Sequence, residues 1–171
     1  MKIQHRESER HVLAITVDNE AGILAKIAGL FTARGYNIDS LTVADISENH
    51  SVSRITIVTN GPPAVIDQIE AQLDRLVPVH RVVDLTQAGP HVERELALVK
   101  VSGKGEDRVE ALRLADIFRA RPVDTTTESF IFEITGPPDK IDTFISLMRE
   151  LGLVEVGRTG IVGMMRGAEA A

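Results

Sequence analysis

The tripeptide Gly61-Pro62-Pro63 recurs as Gly136-Pro137-Pro138, and at the same offset of 75 residues Ile66 meets Ile141, Asp67 meets Asp142, Leu73 meets Met148 and Leu76 meets Leu151. A repeated supersecondary plan constrains this chain more than any other feature, because 171 residues then divide into two small units built alike. Units of that size bury limited cores, which favours association with further copies or partners.

The hydrophobic pattern fills in the plan. The β-rich run His11–Val17 ends in the polar turn Asp18-Asn19-Glu20-Ala21-Gly22. Ile23, Leu24, Ile27, Ala28, Leu30 and Phe31 then recur at helical steps, and Gly35 supplies a stop. Ile38, Leu41 and Val43, then Val52–Thr59, predict two strands joined by the hairpin loop Ser47–Ser51. After Gly61-Pro62-Pro63, the residues Val65, Ile66, Ile69, Leu73 and Leu76 predict a second helix, and Val79–Leu85 a fourth strand.

From Glu95 the pattern restarts. A strand (Glu95–Val101), a helix (Asp107–Phe118), two strands (Pro122–Thr126 and Phe130–Thr135), a helix (Lys140–Leu151) and a closing strand (Leu153–Val162) follow in order. The fold class expected is α+β: two ferredoxin-like βαββαβ sandwiches with right-handed crossovers. The expected boundaries are an extension at 1–10, a first domain at 11–86, a linker at 87–94, a second domain at 95–167 and a tail at 168–171.

Composition narrows the chemistry. The absence of Cys removes disulfides, thiolate nucleophiles and the usual structural zinc sites, and it fits a reducing, cytoplasmic setting. A net charge of −6 with no basic block, five Phe, one Tyr and no Trp argue against nucleic acid as a partner. No apolar run approaches the roughly 18 residues needed to span a bilayer. His5, His11, His50, His80 and His91 show no metal-ligand spacing, so no metal site is expected. The carboxylate pairs Glu93/Glu95 and Glu106/Asp107 are poor candidates for acid–base work, the latter because a helix start favours carboxylates anyway. No catalytic residue is assigned.

One segment carries convergent binding features. Gly22 opens a helix directly after a strand, where free backbone N–H groups and the positive dipole end suit an anion such as a carboxylate, and Asn19 offers a donor and an acceptor beside it. The alternative is local: Asp18 or Asn19 caps the helix and Gly22 only permits close packing.

The run Asn19-Glu20-Ala21-Gly22-Ile23-Leu24 with Gly29-Leu30-Phe31, followed by Arg34-Gly35-Tyr36-Asn37-Ile38-Asp39-Ser40-Leu41-Thr42-Val43, closely resembles the N-terminal ACT domain of the regulatory subunits of acetohydroxyacid synthase (acetolactate synthase). Ser53–Ile57, Arg94–Leu96, Leu98–Val101 and Gly160–Gly163 with Arg166-Gly167 agree with that family, so the resemblance runs from His11 to Gly167. It implies a chain without its own catalytic site that activates a separate catalytic subunit and confers feedback inhibition by valine. It also implies a homodimer whose ACT sheets join side by side. Asn19, Gly22, Ile23 and Leu24 would form one wall of a branched-chain amino-acid site, and Asn37 and Ile38 of the second protomer the other. Thiamine diphosphate, Mg²⁺ and FAD would belong to the catalytic subunit. The second unit begins its helix with Ser102-Gly103-Lys104-Gly105-Glu106-Asp107, without the N-x-x-G spacing, so no equivalent site is expected there. The alternative function is that of an ACT-type amino-acid sensor for a different biosynthetic enzyme.

Overall fold

In the computed structural model, which describes residues 8–168 and Ala170, the run His11–Val17 lies within a ten-residue strand, β1 (Glu9–Asp18). Of the extension expected at 1–10, residues 1–7 lie outside the described residues, while Glu9 and Arg10 already belong to β1. Next come α1 (Ile23–Ala33), β2 (Ser40–Asp45), β3 (Val52–Gly61), α2 (Pro63–Leu73), β4 (Val79–Asp84) and a single turn, α3 (Leu85–Ala88). The strands form an antiparallel sheet in the order β2-β3-β1-β4. α1 ends as the sequence predicts. Gly35 takes φ +69, its N–H bonds the Thr32 carbonyl (3.1 Å) and the Tyr36 N–H bonds the Phe31 carbonyl (3.0 Å), which satisfies two orphan carbonyls of the last turn.

β1 is apolar on consecutive positions because both faces of its sheet are covered. Leu13, Ile15 and Val17 pack against Ile27, Phe31, Ile66 and Ile69 from the two helices. Val12 and Ala14 point the other way, into a separate small cluster with Val58, Leu85 and Ile161.

The second unit repeats the plan with β5 (His91–Ser102), α4 (Gly105–Ile117), β6 (Arg121–Thr125), β7 (Ser129–Gly136), α5 (Pro138–Arg149) and β8 (Leu153–Arg158), in the sheet order β6-β7-β5-β8. The two βαββαβ units expected from the repeat are therefore both present. The repeated Pro-Pro has one role in each: Pro62 and Pro137 are extended, and Pro63 and Pro138 open α2 and α5 at a position that needs no N–H donor. The core here is aromatic, with the Phe132 and Phe144 rings edge-on at 6.1 Å and Phe118 at 5.5 Å from Phe144. β5 alternates: Ala97, Val99 and Val101 are buried while Leu98 is 44% exposed, so this sheet has one open face.

The boundaries differ from expectation. α3 and the start of β5 occupy much of the expected linker 87–94. The closing segment Leu153–Val162 is not one strand: β8 ends at Arg158, Gly160 turns at φ +85, and β9 (Val162–Met165) follows. Compactness assigns Ile161 onward to the first unit and ends the second at Gly160, short of the expected Gly167. The reason is the outer face of the first sheet, whose apolar residues need a cover. The Ile161 N–H bonds Ser40 Oγ (2.9 Å), Thr42 Oγ1 donates to the Ile161 carbonyl (3.0 Å), and Arg54 Nη2 donates to the Gly163 carbonyl (3.0 Å). Ile161 itself is 7% exposed.

Gly163 allows this strap to lie close, since a Cβ there would sit 2.6 Å from Leu85 Cδ1 and 3.3 Å from Val12 Cγ1. Gly163→Val is expected to lift the strap and to destabilise the first unit by about 1–3 kcal/mol. Urea unfolding with limited proteolysis at the C-terminal segment checks this; wild-type stability and protection in the variant would refute it.

Candidate functional site

The turn between β1 and α1 is fastened to the β2–β3 hairpin loop. The Asn19 N–H donates to the Ser51 carbonyl (2.8 Å), and Asn19 Nδ2 donates to the His50 carbonyl (2.9 Å). The loop is itself braced, with Asp45 accepting from the Ser47 N–H (3.0 Å) and pairing with the His50 ring, while Ser47 Oγ accepts from the N–H groups of Ser51 and Val52 (2.9 Å each). The Ser47 N–H and, next, the His50 ring hold the Asp45 carboxyl below its ordinary value.

Gly22 sits at the N-cap of α1 with φ +86, exposed, and with no heavy atom within 4 Å of where a Cβ would stand. This left-handed conformation is the reason for glycine; tight packing is not. No side chain caps the helix. Asp18 instead bonds His80 (2.7 Å), and Asn19 is committed to His50. The purely local capping alternative therefore does not hold, and the first-turn N–H groups keep no side-chain acceptor.

The six expected ligand residues fall into two groups within one chain. Asn19, Gly22 and Leu24 surround the start of α1, and Leu24 is 39% exposed. Ile23 is beside them in sequence, but its side chain is 6% exposed and belongs to the core. Asn37 and Ile38 lie past the other end of α1, an eleven-residue helix about 16 Å long. Asn37 Nδ2 donates to Asp39 Oδ1 (2.6 Å), and its carbonyl accepts from Thr59 Oγ1 (2.6 Å). Asn60 also bonds Asp39, and Ile38 is half-buried against the core. Of the residues that help position this second group, Asp39 stands within the run Arg34–Val43 without being singled out by it, and Thr59 and Asn60 carry no motif of their own. The same holds for the His50 carbonyl, because any residue could supply it.

Members of the two carboxylate pairs are tied into local structure in different ways. Glu95 is 5% exposed and receives two bonds from Arg158 (2.8 and 2.6 Å), and Glu106 and Asp107 stand in the first turn of α4. Among the described residues no group of three or more His, Cys, Asp or Glu is arranged to hold a metal ion. No described helix is long and apolar enough to cross a membrane.

Residues 13–81 match the family model of the acetohydroxyacid synthase small-subunit-like ACT domain, and residues 94–167 match that of the small subunit of acetolactate synthase. The chain is 46% identical, over 92% of its length and 98% of the relative's, to the probable acetolactate synthase small subunit of Archaeoglobus fulgidus. The chain belongs to the acetolactate synthase small-subunit family. Escherichia coli isozyme 3 small subunit is 44% identical over 92% of this chain and 96% of its own. The solved small subunit of Thermotoga maritima superposes with a TM-score of 0.83 at 40% identity, covering 94% of this chain and 99% of that one.

For a small subunit of this family the strap has a double allegiance. By sequence match it ends the C-terminal half, which runs to Gly167, and by packing it belongs to the ACT unit.

Proposed function

We propose that this small subunit activates a separate, thiamine-diphosphate-dependent catalytic subunit of acetolactate synthase in the cytoplasm and makes it subject to feedback inhibition by valine. The observation that carries the reading is the uncapped start of α1. The Ile23 N–H bonds the Glu20 carbonyl (3.4 Å), and the first-turn N–H groups, which no side chain caps, stand with Gly22 beside the fixed Asn19 amide and the exposed Leu24 side chain, a combination suited to the carboxylate and isopropyl ends of one small amino acid. Asn37 and Ile38 are about a helix length away in the same chain, so a second copy is needed to close the site. Valine then acts by binding one state of the holoenzyme more tightly than the other. Thiamine diphosphate, Mg²⁺ and FAD are assigned to the catalytic subunit, which condenses two pyruvates or pyruvate with 2-oxobutyrate.

Reconstitution tests this. The chain alone is expected to form no acetolactate from pyruvate, to raise the rate of the catalytic subunit when added, and to make that rate fall with valine. Light scattering at micromolar concentration is expected to give twice the 18.6 kDa protomer mass. Sustained turnover by the chain alone, or no effect on the catalytic subunit's rate, would refute the regulatory reading.

A further inference from the structure

The outer face of the first unit's sheet carries a cationic row. Thr16 on β1 stands opposite Arg54 on β3 and Arg81 on β4, which places the two arginines two strand spacings apart, about 10 Å. Arg166, just past β9, shares with Arg81 a cleft of about 470 Å³ whose walls include Val83, Ala88 and Met165. Among the described residues no carboxylate pairs with Arg54, Arg81 or Arg166, and Asp18 on the same face is bonded to His80.

Arg54 is the least comfortable of the three. Its Nη2 donates to the Gly163 carbonyl, its Nε is buried without a partner, and burial lowers its guanidinium pKa. The outward side of the strap adds apolar surface, with Val162 45% and Met164 62% exposed. A solvated face in a chain of net charge −6 has no need to gather unpaired arginines around exposed apolar side chains.

We propose that this face, formed by Arg54, Arg81 and Arg166 around the Val162–Met165 strap, is the docking surface for an acidic segment of the catalytic subunit whose apolar side chains cover Val162 and Met164. The inference rests on the proposed function, which supplies that partner. A second copy of this chain is a poorer occupant, because a two-fold contact through this face would set arginines against arginines.

The test is the affinity of the full-length chain for the catalytic subunit, with Arg54 left in place because it fastens the strap. Arg81→Glu combined with Arg166→Glu is expected to raise Kd roughly tenfold to a hundredfold at low salt. Wild-type affinity is expected to fall between about 50 and about 300 mM salt, and that of the double variant to change little. Arg81→Lys with Arg166→Lys should stay close to wild type, and valine binding by the isolated double-Glu chain should be unchanged. A double-Glu variant that binds the catalytic subunit as tightly as wild type, or a wild-type affinity indifferent to salt, would overturn the docking surface. So would arginine-dependent binding of inorganic pyrophosphate to a double-Glu-sensitive cleft with subunit affinity unaltered, since the cleft would then be a small-anion site. A wild-type chain that never binds the catalytic subunit would defeat the proposed function itself.

Discussion

Gly22→Asp is expected to weaken valine binding by roughly tenfold to a thousandfold, corresponding to about 1–4 kcal/mol from a second carboxylate a few ångströms from that of the ligand. The introduced side chain would compete for the first-turn N–H groups that no side chain occupies now. The backbone complicates a single substitution. Gly22 has φ +86, so any side chain there carries strain, about 1 kcal/mol for an ordinary residue and less for Asp or Asn, which tolerate the left-handed region. Space is not limiting, since a Cβ would meet nothing within 4 Å. Gly22→Asn is therefore the matched control, with the same shape and strain but without the charge. Calorimetric titration of both variants with valine, alongside acetolactate formation by the reconstituted holoenzyme across a valine titration, separates the effects. Activation should survive largely in both. If Gly22→Asp folds and binds valine like wild type, the site assignment fails while the family stands; if Gly22→Asn loses as much as Gly22→Asp, the backbone and not the charge is responsible.

Much of the fold was legible because the local signals agree with the global arrangement. The spacing of Ile23, Ile27 and Phe31 marks the buried stripe of α1, Gly35 marks its end, and the two Pro-Pro steps mark the starts of α2 and α5. The strap was less legible. Ile161-Val162-Gly163 continues a β-rich run, and the turn at Thr159-Gly160 announces a break without a destination. The bonds that fix the destination join Ser40, Thr42 and Arg54 to residues 109 to 121 positions away, beyond the reach of any periodicity. One trace was present at the other end of the chain. His11–Val17 lacks the alternation of Glu95–Val101, and the difference is that the first sheet is covered on both faces.

The candidate site was legible in part for a similar reason. Asn19 and Gly22 stand out by type and spacing, but the partners that fix Asn19 are two main-chain carbonyls. Helical periodicity placed both Ile23 and Leu24 near the apolar stripe; packing decides that Ile23 turns inward and Leu24 outward.

The largest loss of stability is expected from Gly152→Ala, at least about 3 kcal/mol and confined at first to the second unit. Gly152 has φ +93, and a Cβ built on it would stand 2.1 Å from the Ser102 carbonyl oxygen and 3.3 Å from its carbon. The obstacle is main chain and is held in place, because the Ser102 N–H bonds the Gly152 carbonyl (2.9 Å) where the β5–β8 pairing shifts register between Lys100 and Val101. Relief requires moving one strand off the other, which opens the core around Val101 and Leu153. The residues proposed for the amino-acid site, Asn19, Gly22, Leu24, Asn37 and Ile38, all lie in the first unit, so valine binding is expected to outlast the second unit on heating. The strap should not. Once Glu93–Gly160 unfolds, Ile161–Met165 is tethered through a loop of roughly 70 residues, whose closure costs about 3–4 kcal/mol. Calorimetry of Gly152→Ala should accordingly split into a lowered transition for the second unit, with the strap becoming cleavable by protease, and a later one for the first unit that valine still raises. A single transition at the wild-type temperature would show that the Ser102–Gly152 approach is looser than the structure has it.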